Sequence, residues 1–392
     1  MSKTMNDRQG RMGLWMACCC LMLAANVTCA ASAGQDPLET PAPRSDKAST
    51  ALLLDVAATD SRLVAVGEHG IIVYSDDEGK NWRQADVPVS VTLTAVQFIN
   101  ARSGWTVGHD GVVLSSVDAG QTWQKRFDGN QANRLILAEA EKNAVDAHRA
   151  ADGSIGASKA AALKLRQDAD NALADAQAGA KFGPSRPLLG VAFKDEREGF
   201  VVGAYGQIFH TADGGDHWES LVGRMQNPDG LHFNAIAQTP GGSLVIAGEG
   251  GKVYRSRDGG IHWQALTSGY AGQLYGVLGI SDAGGKESLE AFGFGGHVML
   301  SVDDGKTWQQ LPPVISKNLV RGVQLAGGSI VLAAQDGSLL RSEDRGNRYS
   351  KTLPGNGSEI AGMALLKGAE QVAVSGVGGV RILSLSTTRK MN

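Results

Sequence analysis

Eight polar side chains sit at matching places in a repeated turn of this 392-residue chain. They are Glu68, His69, His109, Asp110, Tyr205, Glu249, Gln335 and Asp336. Imidazole and carboxylate together suit zinc or a similar ion. Glu68, His69, His109 and Asp110 occupy equivalent turns of successive repeats, which commonly lie too far apart for one ion. The reading taken is therefore a polar rim that faces a partner protein, with no metal, no cofactor and no catalytic group. The remaining histidines (His148, His210, His217, His232, His262 and His297) show no ligand spacing.

The turn that carries these residues is Gly-x-x-Gly. It occurs as Gly67-Glu68-His69-Gly70, Gly108-His109-Asp110-Gly111, Gly203-Ala204-Tyr205-Gly206, Gly248-Glu249-Gly250-Gly251 and Gly293-Phe294-Gly295-Gly296. Ala334-Gln335-Asp336-Gly337 and Gly376-Val377-Gly378-Gly379 complete the series. First positions are 41, 95, 45, 45, 41 and 42 residues apart. The long interval holds one complete unit, so it reads as one period plus an insertion.

A second motif, Ser/Thr-x-Asp-x-Gly-x-x-Trp, follows each of the first six turns. Its aspartates are Asp77, Asp118, Asp213, Asp258, Asp303 and Asp344. Its aromatics are Trp82, Trp123, Trp218, Trp263 and Trp308, with Tyr349 in the last copy. Six copies point to structure rather than catalysis. An Asp in a tight turn accepts backbone N–H groups, and Gly permits the bend. The Trp is expected to pack against the next repeat.

The elements that must position these motifs are strands. A period of 40 to 45 residues with short apolar β patterns falls in the propeller range. Each unit reads as four strands: an inner run such as Leu93–Phe98, a second before the Gly-x-x-Gly turn, a third after it, and a fourth carrying the Trp. The expected fold is all-β, a seven-bladed β-propeller of four-stranded blades over residues 51–385. The seventh unit has no Asp motif and ends after its third strand. Residues 34–50 are expected to be a linker or to return as its closing strand, removing an exposed edge.

Residues 129–186 break the β pattern. Asn130 to Ala151 and Ala157 to Ala180 read as two helices with a Gly-containing turn between them. Leu135, Ala138, Val145 and Ala147 are expected to meet Leu163, Leu165, Ala169 and Leu173 across an antiparallel hairpin between blades two and three. Connections between blades and the Gly-x-x-Gly turns leave a propeller on the same face. The insertion is therefore expected to share a face with the polar rim and to serve as a docking arm.

Residues 1–33 read as a secretory signal peptide: Lys3, Arg8 and Arg11, an apolar core from Met12 to Val27, then Ala31-Ser32-Ala33. Cys18, Cys19, Cys20 and Cys29 all lie within it. The expectation is a periplasmic or otherwise exported protein, soluble after cleavage, with no stable membrane span. Net charge is −3, which gives no sign of nucleic-acid binding.

The Asp motif resembles the Asp box of the bacterial neuraminidase repeat. The longer unit, as in residues 66–77, resembles the photosystem II stability/assembly factor family and its relatives in non-photosynthetic bacteria. The resemblance covers residues 51 to 385 apart from the insertion. It implies a non-enzymatic scaffold or assembly factor, monomeric, that binds a membrane protein or membrane complex under assembly, or an exporter. The alternatives are a ligand- or glycan-binding propeller and a sialidase-like glycosidase. The glycosidase chemistry would use three Arg, a Tyr nucleophile with a Glu base, and an Asp acid. Tyr205 and Glu249 fall on neighbouring turns, but Arg321 is the one plain arginine on an inner strand.

Overall fold

Every blade buries both of its faces, and this sets the composition of its strands. The computed structural model describes residues 35–385 apart from 283, 367 and 369. The signal-peptide reading lies outside the described residues. Blade 1 is made of β1 (Leu53–Ala58), β2 (Leu63–Gly67), β3 (Ile72–Ser75) and β4 (Arg83–Gln84), antiparallel in sequence order. The pattern repeats in six four-stranded sheets, and a seventh sheet has three strands (Gly362–Leu365, Gln371–Gly376, Gly379–Ser384). The fold is the expected seven-bladed propeller.

The second strand of each of the first six blades is buried along its whole length, as in Leu63–Gly67 and Ile330–Ala334, except in blade 5, where it starts with the half-buried Glu287 and Ser288. A sheet packed on both sides takes continuous apolar runs instead of alternation. Seven apolar cores result, one at each junction of adjacent blades. Val64, Val66 and Tyr74 of blade 1 meet Leu93, Leu114 and Trp123 of blade 2. Leu53, Val56 and Val73 of blade 1 meet Ala373 and Ile382 of blade 7, which closes the ring.

The Trp of each Asp motif packs against the preceding blade, not the next. Trp123 of blade 2 lies in the core shared with blade 1, and Trp263 of blade 4 packs edge-on to Phe200 of blade 3. The aromatic ends the turn just before strand four instead of lying in that strand. The turn projects backward over the second strand of the preceding blade, so a Cβ on Gly215 would lie 3.2 Å from the Trp105 ring.

Blade 6 departs from this pattern. Its aromatic is Tyr349, whose hydroxyl lies 2.7 and 2.8 Å from the two carboxylate oxygens of Glu290 on blade 5. Glu290 is fully buried, at a position where the other blades place Val64, Trp105, Phe200, Val245 and Val331. Burial pushes its carboxyl up to about 8, partly opposed by the Tyr349 hydrogen bond.

The segment before β1 does not become a fourth strand of blade 7. It runs as an irregular strap along the outer edge of blade 1. Ala42 donates to Val87 O at 3.0 Å, and Ser90 donates to Pro37 O at 2.9 Å. Leu38 is 1% exposed, inside the core between blades 1 and 2. A single helical turn, Ala48–Thr50, then reaches blade 7, where Ala48 joins the closing core. Pro37, Pro41 and Pro43 lack the N–H groups that a ladder strand needs.

The insertion is the expected hairpin of α1 (Gly129–Asp152) and α2 (Ser158–Lys181). Asp128 caps α1, accepting the N–H groups of Asn130 and Gln131. The seam differs from the expected one. Ala140, Ala144, Ala151, Ala162 and Ala176 are buried, while Val145, Leu163 and Leu165 are 57%, 46% and 63% exposed. Ala138 is also exposed, and Leu135 packs on the core between blades 2 and 3. The alanines follow one i, i+3/i+4 row, and small residues bring the helices close, which rotates the larger side chains outward. No helix among the described residues is long and apolar enough to cross a membrane.

Two stability measurements follow. Leu38→Ala should destabilise the protein by about 2–5 kcal/mol, read from the urea midpoint; a wild-type midpoint would show that the strap is dispensable. Glu290 keeps in the native state a proton that the unfolded chain releases near 4.5. Native protein therefore binds more protons between about 4.5 and 8, and stability must fall as pH rises through that window. Glu290→Gln should flatten this slope in denaturation curves taken across that range.

Candidate functional site

The Gly-x-x-Gly turns form one face of the ring, and their glycines are required by close approach. A Cβ on Gly67 would lie 2.0 Å from Leu52 O, and Gly70 at φ +71° faces Val89 O at 2.1 Å. The two middle residues do different work. The first points back to the residue that precedes the inner strand. Glu68 accepts Leu52 N–H at 2.9 Å, Glu249 accepts His232 N–H at 3.2 Å, and Gln335 Oε1 accepts from Asn318 Nδ2 at 3.1 Å. These three rim residues therefore hold the turn to its own blade.

The second middle residue is left-handed in every blade but the sixth, where Asp336 is not. His69, Asp110 and Tyr205 have φ of 53°, 54° and 58°. Blades 4 and 5 place Gly250 and Gly295 in the same conformation. Left-handed backbone costs a side-chain-bearing residue roughly 1–2 kcal/mol. Three adjacent blades thus hold strained side chains where glycine would be relaxed. They flank the arm, which leaves from blade 2 beside the 109–111 turn and returns to blade 3.

Around Tyr205 these residues form a small cluster. Its ring, 58% exposed, lies 5.2 Å from the Arg186 guanidinium and 5.0 Å from the His232 ring. His232 Nδ1 in turn lies 2.8 Å from Glu249 Oε2. The His232 backbone N–H, then its ring, holds the Glu249 carboxyl below its ordinary range. His69 and His109 are exposed, and Asp110 is half-buried, its carboxyl pushed up by burial. Asp336 accepts Ser338 N–H at 3.0 Å. Among the described residues no group of three or more His, Cys, Asp or Glu is placed to hold a metal ion.

The opposite face carries the Asp motifs, each a closed hydrogen-bond unit. Ser75 Oγ donates to Asp77 Oδ1 at 2.8 Å and accepts Gly79 N–H at 2.9 Å. Asn81 N–H reaches the same carboxylate oxygen at 2.8 Å, and Trp82 Nε1–H donates to Gly79 O at 3.0 Å. In Asp77, Asp213 and Asp258 the backbone N–H four residues on, then that residue's side chain, holds the carboxyl at about 2. Both oxygens of these carboxylates are engaged by their own turns, as are those of Asp118 and Asp303, while Asp344 is engaged through Oδ1.

Between the turns, the ring axis opens as a funnel of 540 Å³. Its wall is the second residue of each inner strand, or its equivalent: Leu54, Thr94, Leu189, Asn234, Tyr275, Val320 and Ala361. One level down stand Asp55, Ala95, Gly190, Ala235, Gly276, Arg321 and Gly362. Arg321 Nε donates to Asp55 Oδ1 at 3.3 Å, and Asp55 Oδ2 accepts Val96 N–H at 3.0 Å. One ion pair thus ties blades 6, 1 and 2 across the channel. Arg321 is the one arginine on the described inner strands, and Tyr205 and Glu249 are joined through His232 without it. The funnel was missed in the sequence because a ring of single positions, one per 40–45 residues, carries no local motif; aligning the repeats by their inner strands would have shown it.

The model of the family described as photosynthesis system II assembly factor YCF48 matches residues 79–144 and 180–357. A similar curated protein is the photosystem II assembly lipoprotein Ycf48 of Synechococcus sp. (strain CC9902), 35% identical over 79 residues. That alignment spans 19% of this chain and 23% of the cyanobacterial protein, well short of its full length. Among solved structures, "YCF48 bound to D1 peptide" superposes with a TM-score of 0.58 at 17% identity, over 86% of this chain and 95% of that one. YCF48 from Cyanidioschyzon merolae gives 0.56 at 14%, over 88% and 97%. These two similarities speak to the fold. The family match, spread over more than half of the chain and over blades 2 to 6, is what settles membership: the chain belongs to the photosynthesis system II assembly factor YCF48 family.

Proposed function

We propose that this chain is an exported, non-enzymatic assembly or stability factor that docks a membrane protein. The docking surface is the Gly-x-x-Gly face of blades 1 to 3 together with the helical arm. One observation carries this reading: strained side chains stand at His69, Asp110 and Tyr205, exposed at His69 and Tyr205, on the blades around the root of the arm, while blades 4 and 5 use glycine. Strain held at an exposed turn, with no gain in packing at His69, is a mark of function. Family membership supports the assembly role, and a YCF48 of the same fold has been solved bound to a D1 peptide. The family match stops at 144 and resumes at 180, so most of the arm lies outside it. A rigid hairpin rooted in the core through Ala132, Leu135 and Ile136 gives a preorganised surface for a partner. Export rests on the signal-like residues 1–33. The client is proposed as a membrane subunit under assembly or an exporter, and the factor acts as a monomer.

Two tests separate the parts of this reading. His69→Gly should raise stability by about 1 kcal/mol in denaturant titration while weakening client capture; a loss of stability would mean that the strain is not there. Tagged protein should recover a defined membrane protein from detergent-solubilised membranes of its host. Deleting residues 130–182 should reduce that recovery severalfold. Full recovery without the arm would leave it no docking role, and no membrane client at all would defeat the assembly reading.

A further inference from the structure

Among the described residues, blade 7 alone leaves its third strand, Gly379–Ser384, without a fourth beside it. The register fixes which of its backbone groups face outward. Leu385 N–H lies 2.7 Å from Glu370 O, and Leu383 and Arg381 continue that ladder opposite Val372 and Val374. Bonded and non-bonded pairs alternate in an antiparallel ladder, so Val380 and Ile382 turn their N–H and C=O groups away from the sheet. Blades 1, 3 and 5 show what such groups take. Ala85, Leu221 and Leu311, each directly after a fourth strand, donate to Ile72, Ile208 and Val298 O at 2.9, 3.0 and 2.9 Å. No such bond reaches Val380 or Ile382 among the described residues.

Burial marks the same gap. The third strands of blades 1, 2 and 5 are buried throughout, whereas Val380, Arg381, Ile382 and Leu383 are half-buried. The helical turn Ala48–Thr50 closes the Gly379 end, where Ser49 O would lie 2.0 Å from a Cβ. Exposed cations stand on the elements to either side: Lys47 on the strap, Arg83 on the fourth strand of blade 1 and Lys351 on that of blade 6. Among the described residues none of the three has a carboxylate within salt-bridge reach. Asp46, beside Lys47, is exposed, and Glu343 and Glu370 are spent on Arg341.

We propose that this edge is a second interaction surface, which takes an extended acidic segment of a partner protein as its fourth strand. Main-chain bonds to Val380 and Ile382 hold the segment, as in strand addition generally, and the flanking cations select its charge. A second copy of this chain would bring the same cations to the contact, and like charges disfavour that pairing. An unpaired edge is also a hazard that charged flanks restrain. The surface stands apart from the rim and the arm, and the assignment depends on neither.

The test immobilises the full chain and offers two peptides with acetylated and amidated ends, Thr-Glu-Thr-Glu-Thr-Glu-Thr and the same sequence with Lys for Glu. Retention of the acidic peptide at low salt should exceed that of the basic one about tenfold, the scale of a few exposed ion pairs gained in one and opposed in the other. The fully N-methylated acidic peptide, with the same charge and no N–H to give, should not be retained. Ile382→Pro removes an outward donor while Arg381 and Leu383 keep their bonds to the second strand, and should lower retention severalfold. Because Ile382 also packs on the closing core, Arg83→Glu combined with Lys351→Glu serves as a second variant, on the surface, and should turn the preference toward the basic peptide. Equal retention of the two peptides, retention of the N-methylated form, or an acid preference that survives the double charge reversal overturns the proposal. Two further outcomes assign the edge to this chain itself and overturn the partner reading. One is binding that appears only when residues 386–392 are deleted; the other is a wild-type dimer in sedimentation that Ile382→Pro disperses.

Discussion

No blade in this molecule has a face of its own. Each sheet is buried on one side by the blade before it and on the other by the blade after it, and the seven apolar cores are the seven junctions. A four-stranded sheet alone would expose both apolar faces to water, so stability belongs to the closed ring. This constraint accounts for the unbroken apolar runs of the second strands. It accounts for the Asp motif too, since the motif folds its aromatic backward onto the neighbouring blade. The hydrogen bonds of the Asp turn serve to aim that ring.

Closing such a ring is the point at which the repeat must break. Among the described residues blade 7 brings three strands, and its unit has no Asp motif. The junction is completed by three unlike devices: the apolar core shared by blades 7 and 1, the Asp55–Arg321 pair across the axis, and the proline-containing strap along blade 1. A proline-rich strap covers an outer edge without offering a further one for pairing. Glu290 and Tyr349 show a different kind of break, in which an aromatic substitution and a buried acid answer one another across the junction of blades 5 and 6.

The two faces divide the labour. On the Asp-motif face the repeated polar groups are consumed by their own turns. On the other face the turn is built with one residue tied down and one left-handed residue free. That division lets the scaffold vary the free residue without disturbing the blade, and the arm leaves from this same face. The axis adds a cavity whose wall is drawn from all seven blades, each giving one residue at the same level.

Blade number and the place and nature of the insertion were legible in the residues. Periodicity and turn chemistry are local, and turns such as Gly67–Gly70 need specific backbone conformations wherever they occur. The partner of each Trp, the seam of the arm and the path of residues 36–50 were not legible. Trp123 faces backward because of the twist and order of assembled sheets, Val145 faces outward because alanine rows set the helix spacing, and Leu38 is buried because two distant blades meet around it. Likewise, Glu68 and Glu249 were read as rim residues free for a partner, and only the fold revealed that they hold backbone N–H groups. Arg321 and Asp55 lie 266 positions apart, and no spacing rule joins them. The sequence by itself determined the repeated unit, since a blade is specified by short-range chemistry. The tertiary structure alone decided the ring closure and the funnel, since both arise from single residues that become neighbours only when the seventh blade meets the first.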